Sequence, residues 1–137
     1  MIKSHIGHVV CNINPANARF YKDLMTFLGW RPIFEQEGIL GVADEKGASL
    51  WFMGMAKAIN NDYDGPGVNH LAFSVTMQSD VDAAVAYLRA ARVNPLFETP
   101  RHRPEFSRRA EDTYYQVMFE SPDRILFEIV YTGPKAS

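Results

Sequence analysis

Apolar residues fall along this chain in two successive series with the same order of elements. Ile6 to Ile13 is apolar and rich in β-branched residues, which predicts a mostly buried strand. Asn14-Pro15 then offers an N-cap followed by proline at the first helical position. Phe20, Tyr21, Leu24, Phe27 and Leu28 recur at helical spacing, and Gly29 is placed to close that helix in a left-handed cap. Trp30–Glu35, Ile39–Ala43 and Ser49–Met53 predict three short strands, punctuated by Gly38 and by Asp44-Glu45-Lys46-Gly47. Gly54 to Pro66 breaks the pattern with polar and turn-forming residues and reads as a linker. After it the series starts again. Val68–Val75 predicts a strand, and Ser79 is the expected N-cap of a helix with Asp80 and Asp82 in its first turn and Val81, Val85 and Leu88 on its buried face. Asn94–Phe97, Tyr114–Glu120 and Ile125–Tyr131 complete three further strands.

Strand, helix, three strands, twice over, is an internal repeat, and it sets the fold expectation. Overlaying the halves brings Gly7-His8-Val9-Val10 onto Asn69-His70-Leu71-Ala72, and Arg31-Pro32 close to Asn94-Pro95. Asp44-Glu45-Lys46-Gly47 before Trp51 falls on Ser121-Pro122-Asp123-Arg124 before Glu128. The expected fold class is α+β. It pairs βαβββ modules, residues 1–54 and 67–133 joined by linker 55–66, within one domain spanning 1–137.

The 137 residues are 47% apolar and 22% charged, as in a single soluble domain. A net charge of −2 gives no support for a nucleic-acid partner. No stretch approaches the ~20 apolar residues of a membrane span, and the N-terminus has no apolar signal core. The lone Cys11 forms no intramolecular disulfide, which fits a reducing, cytoplasmic setting.

The overlay places a histidine in the first strand of each half, His8 and His70, while Glu128 lies amid Phe127, Ile129 and Val130. A carboxylate inside an apolar strand is costly unless it is paired or bound to a cation. Two imidazoles and one carboxylate are a common donor set for manganese, iron, nickel or zinc, with positions left open for water and substrate. Each residue alone also has a structural reading: a half-exposed strand histidine, or a glutamate paired with arginine.

With these residues the sequence resembles the vicinal oxygen chelate superfamily of glyoxalase I, fosfomycin-resistance thiol transferases, methylmalonyl-CoA epimerases, extradiol dioxygenases and bleomycin-binding proteins. The resemblance rests on Gly7-His8-Val9, Arg19-Phe20-Tyr21-Lys22-Asp23-Leu24 and Phe27-Leu28-Gly29-Trp30 in the first module. In the second it rests on Asn69-His70-Leu71-Ala72-Phe73 and on Phe119 through Glu128. It implies a cup-shaped mixed sheet with a metal inside, His8, His70 and Glu128 as ligands of one divalent ion (Mn2+, Fe2+, Ni2+ or Zn2+), and a homodimer. Relatives with four ligands place glutamate or glutamine where this chain has Trp51. Indole offers no lone pair, so a three-ligand site is expected. Trp51 is then either strand filler or the apolar wall of a substrate pocket. A second departure is Arg124, where many relatives carry glycine in the turn before the last strand.

Arg101 to Asp112 reads as a long loop carrying Arg101, His102, Arg103, Arg108 and Arg109, of the kind that often forms a lid or binding loop. Arg103 and Arg108 are the candidates for holding an anionic small-molecule substrate. The alternative is a solvated loop whose charges pair with Glu105, Glu111 and Asp112. Tyr114 and Tyr115 alternate on the following strand, so one of them faces the cup, and Tyr115 is taken as the candidate for orienting substrate or exchanging protons. Glu128 is the other catalytic candidate. The expected function is metal-dependent Lewis-acid catalysis on a small oxygenated metabolite, of lyase or isomerase, thiol-transferase or dioxygenase type. The alternative is a module that binds and sequesters a small molecule, as in bleomycin resistance.

Overall fold

β1 (His8–Asn12), α1 (Ala18–Phe27), β2 (Arg31–Gln36), β3 (Ile39–Ala43) and β4 (Ser49–Met53) make the first series, and β5 (Leu71–Val75), α2 (Gln78–Ala90), β6 (Leu96–His102), β7 (Asp112–Glu120) and β8 (Leu126–Pro134) the second. The computed structural model describes all 137 residues. They divide into two units, Met1–Asn60 and Asn61–Ser137. The class is α+β, and no helix is long and apolar enough to cross a membrane.

Each unit holds a four-stranded sheet of the same topology, β1-β4-β3-β2 in the first and β5-β8-β7-β6 in the second. The first strand runs parallel to the last, and the other neighbours are antiparallel. A parallel neighbour demands a crossover, and here the helix supplies it.

In the first unit Tyr21, Leu24 and Met25 of α1 are buried, and Tyr21 stacks on Phe52 of β4 with centroids 4.5 Å apart. Phe27, expected on the buried stripe, is exposed, and Met25 takes that place. Gly29 closes α1 at φ +80, with the Trp30 N–H donating to the Met25 carbonyl at 2.9 Å. Cys11 pairs in register with Phe52, the β4 residue that stacks on α1, and burial pushes its thiol up to about 11.

In the second unit Val81, Ala84, Val85 and Leu88 of α2 are buried. The helix begins one residue before Ser79, with Met77 at the cap position. The Met77 N–H donates to Asp80 Oδ2 at 2.9 Å, so an acidic side chain in the first turn reaches back to the cap residue. β6 runs to His102, further than the sequence pattern indicates, and a short 3-10 turn over Pro104–Phe106 follows. The basic segment is therefore partly strand. Tyr63, within the stretch read as linker, is buried against Met118 and Leu126.

Candidate functional site

Register decides which side chains share a surface. In the second unit Ala72 pairs with Glu128, and Glu128 with Met118. Alternation along each strand then puts His70, Ala72 and Ser74 on one face with Glu128 and Val130 and with Tyr114, Gln116 and Met118. The opposite face is the one α2 covers, since the Tyr115 hydroxyl reaches Asp82 of that helix at 2.7 Å.

On the face turned away from α2 a compact cluster forms around Glu128, whose exposure is only 2%. His70, immediately before β5, sets its Nε2 3.0 Å from Glu128 Oε2. The Tyr114 hydroxyl donates to the other carboxylate oxygen, Oε1, at 2.5 Å. Burial, and after it the hydrogen bond to the carboxylate, push the Tyr114 hydroxyl well above the ordinary phenol range, so it keeps its proton. Phe106 packs its ring edge-on against Tyr114, with centroids 5.6 Å apart, and the Arg103 guanidinium lies over Phe106 at 4.5 Å. The buried carboxylate thus has one partner on each oxygen.

Tyr115, the expected catalytic tyrosine, is on the other face. Its hydroxyl donates to Asp82, its ring stacks on His102 at 4.4 Å, and burial followed by Asp82 pushes it up to about 12. The tyrosine that meets Glu128 is Tyr114. The basic segment follows the alternative reading, with its charges pairing to Glu105, Glu111 and Asp112. Arg103 pairs with Glu105, and Arg109 with Glu111. Arg108 is exposed and takes part in no ion pair. Arg101, by contrast, pairs in register with Gln116, which places it on the Glu128 face. It reaches only the exposed Glu98, at 3.5 Å, and its Nε is buried with no partner. Gln116 is the residue on this face that the sequence does not single out, while Tyr114 is the alternative to Tyr115 and Arg101 one member of the basic loop.

The first unit repeats the geometry with different chemistry. Val10 pairs with Trp51 as Ala72 pairs with Glu128, so Trp51 occupies the repeat position of the carboxylate. His8 opens β1 and shares a face with Trp51. The indole lies flat across Gly41, where a Cβ would come within 2.8 Å of the ring. Its Nε1–H donates to Ser49 Oγ at 3.1 Å, and Phe34 lies alongside with centroids 5.7 Å apart. These rings make an aromatic surface on the His8 face.

Two donors of the expected metal set, His70 Nε2 and Glu128 Oε2, therefore converge, and the chemistry of that pair suits a divalent ion that takes nitrogen and oxygen ligands. No three His, Cys, Asp or Glu side chains are gathered closely enough to hold a metal ion. His8 stands in the first unit and is exposed.

Comparison with known proteins gives a consistent result. The family model described as Glyoxalase/Bleomycin resistance protein/Dioxygenase superfamily matches residues 4–129. Among solved structures, a candidate glyoxalase from Bacillus halodurans superposes with a TM-score of 0.76 at 24% identity, covering 92% of this chain and 94% of that one. A glyoxalase/dioxygenase from Nostoc punctiforme gives 0.72 at 18% identity, covering 94% and 91%. The fosfomycin resistance protein FosX from Listeria monocytogenes, in complex with Mn(II) and sulfate, gives 0.67 at 19% identity, covering 93% and 90%. At these identities the likeness is one of fold. No curated protein matches.

Proposed function

The chain belongs to the Glyoxalase/Bleomycin resistance protein/Dioxygenase superfamily, and from that premise we propose that it is a metal-dependent enzyme acting on a small, anionic, oxygenated substrate. The observation that carries the proposal is the convergence of His70 Nε2 and the buried Glu128 Oε2 at 3.0 Å on the face of the second sheet turned away from α2. An imidazole nitrogen and a carboxylate oxygen this close share a hydrogen or, in its place, a metal ion.

His70 and Glu128 would hold the ion, with His8 as third ligand, contributed by a second copy of the chain in a homodimer that exchanges modules. A divalent cation bound there supplies Lewis-acid stabilisation of negative charge developing on a substrate oxygen. The rest is the work of side chains. Tyr114 satisfies Glu128 Oε1 and leaves Oε2 facing His70. Arg101, on the same face with its Nε unpartnered, offers a guanidinium to an anionic group. Phe106 holds Arg103 beside Tyr114. Trp51 and Phe34, on the His8 face, would offer substrate an apolar surface, and indole at the carboxylate's repeat position leaves the ligand set at three. A point mutant of FosX, which shares the fold, is known with Mn(II) and 1S,2S-dihydroxypropylphosphonic acid, so small phosphonates and hydroxycarboxylates are the first ligands to try.

The test is water-proton relaxation of Mn(II)-loaded protein titrated with such ligands. A fall in relaxivity as the ligand displaces water, weakened by Arg101→Gln and unaffected by Arg108→Gln, is expected. Relaxivity that no oxygenated anion alters would overturn the proposal. Binding without turnover of any ligand would instead favour a sequestering role, to which the Trp51–Phe34 surface is also suited.

A further inference from the structure

We infer that Asn69 is a positioning residue that fixes His70 with its proton on Nδ1 and its Nε2 lone pair turned toward Glu128. This rests on the reading of His70 as a metal ligand. Asn69 is gripped at both ends of its amide. Its Nδ2 donates to the Tyr63 carbonyl at 2.9 Å, and its Oδ1 lies 2.7 Å from His70 Nδ1. A backbone carbonyl only accepts, so the Tyr63 contact settles which end of the amide is nitrogen. The oxygen therefore faces the imidazole, and because that oxygen also only accepts, Nδ1 must carry a hydrogen. The ring's other nitrogen is left for Glu128 and whatever cation lies there. Without Asn69 the carboxylate at 3.0 Å would be the ring's only partner and would draw the hydrogen onto Nε2, presenting the metal with N–H in place of a lone pair.

The support continues behind Asn69. Tyr63 is buried, its hydroxyl donates to Glu120, and the Arg124 guanidinium lies 5.5 Å over its ring while pairing with Glu120 at 3.6 Å. Asn61 Nδ2 donates to the Arg124 carbonyl at 2.8 Å. This accounts for an arginine at φ +58, a conformation glycine adopts more easily. The guanidinium clamps Tyr63, which glycine has no means to do. The first unit has no such device. The residue before His8 is Gly7, which has no side chain to hold the imidazole as Asn69 holds that of His70. Of the two histidines related by the repeat, only His70 is oriented in advance.

The experiment uses 15N-labelled protein loaded with Zn(II), reading the imidazoles by long-range proton–nitrogen correlation, with Mn(II) affinity measured in parallel. Wild type should show His70 protonated at Nδ1 and coordinated through Nε2. Asn69→Ala, a truncation at an exposed position, should weaken Mn(II) binding by about 10- to 100-fold while leaving the backbone amide spectrum of the sheet unchanged. Asn69→Asp keeps an acceptor for Nδ1–H but loses the donor to the Tyr63 carbonyl, so it should bind Mn(II) more tightly than Asn69→Ala and less tightly than wild type. Wild-type His70 coordinated through Nδ1, or Asn69→Ala binding Mn(II) as tightly as wild type, would overturn the inference. If His70→Ala also bound Mn(II) like wild type, the assignment of His70 as a ligand would be what failed.

Discussion

Replacing Tyr114 by phenylalanine removes a single oxygen atom from the site, and the structure says what that atom does. Its hydrogen bond to Glu128 Oε1 is 2.5 Å long, and Glu128 is 2% exposed, so water cannot readily take its place. A hydrogen bond to a charged group contributes about 1.5–3 kcal/mol, and a buried acceptor left unmet costs a similar amount. The phenyl ring keeps its edge contact with Phe106, so packing changes little. We expect Tyr114→Phe to destabilise the metal-free protein by about 2 kcal/mol. Tyr115→Phe is the control. Its hydroxyl serves Asp82 near solvent while its ring remains stacked on His102, and its loss should cost less than about 1 kcal/mol. Equilibrium urea unfolding measures both. With a slope of about 1–3 kcal/mol/M, the Tyr114 variant should show a midpoint lower by roughly 1 M at unchanged slope. Equal midpoints for the two variants, or the reverse order, would refute the assignment of Tyr114 to Glu128.

Gly41→Ala should displace the indole of Trp51, since its Cβ would sit 2.8 Å from that ring. We expect a loss of about 1–3 kcal/mol and a red shift of Trp51 emission read in a Trp30→Phe background; unchanged stability and emission would contradict the close approach. Tyr115, pushed up to about 12 by burial and Asp82, keeps its proton in the folded state where the unfolded chain loses it. The stability this supplies is complete below about pH 10 and is lost as pH climbs through the folded value. The Tm of Tyr115→Phe should therefore fall less steeply than wild type above about pH 10, and parallel curves would contradict it.

The repeat was the most legible feature of the sequence, because each half carries its own helix stripe and strand order. The overlay that matched Trp51 with Glu128 is reproduced in hydrogen-bond register, Val10 with Trp51 and Ala72 with Glu128. The choice between Tyr114 and Tyr115 was not legible. Alternation says that neighbours face opposite ways, but which of them meets Glu128 depends on how β7 is registered against β8, and the sequence does not state that offset. Arg101 was hidden for a related reason. Phe97 and Glu98 take positive φ, the register shifts between Leu96 and Arg101, and the strand resumes beyond a proline, so no period-2 pattern marks it. Asn69 stands in the motif around His70, but its role is carried by contacts at both ends of one amide, to Tyr63 and to the adjacent His70, with no spacing that advertises them. The cap of α2 falls at Met77 and not at Ser79, with Asp80 reaching back to the Met77 N–H from inside the helix.

The central claim is that His8, His70 and Glu128 hold a divalent ion, and Mn(II) titration with metal analysis of the dialysed protein tests it most directly. Wild type should retain about one ion per chain, more weakly at low pH because imidazole must be neutral to ligate. Glu128→Gln should lose most of that binding while its circular dichroism stays that of the wild-type fold. An equimolar mixture of His8→Ala and His70→Ala chains should recover part of it if two chains share each site. Metal content in the His8→Ala/His70→Ala double variant equal to that of wild type would contradict the account.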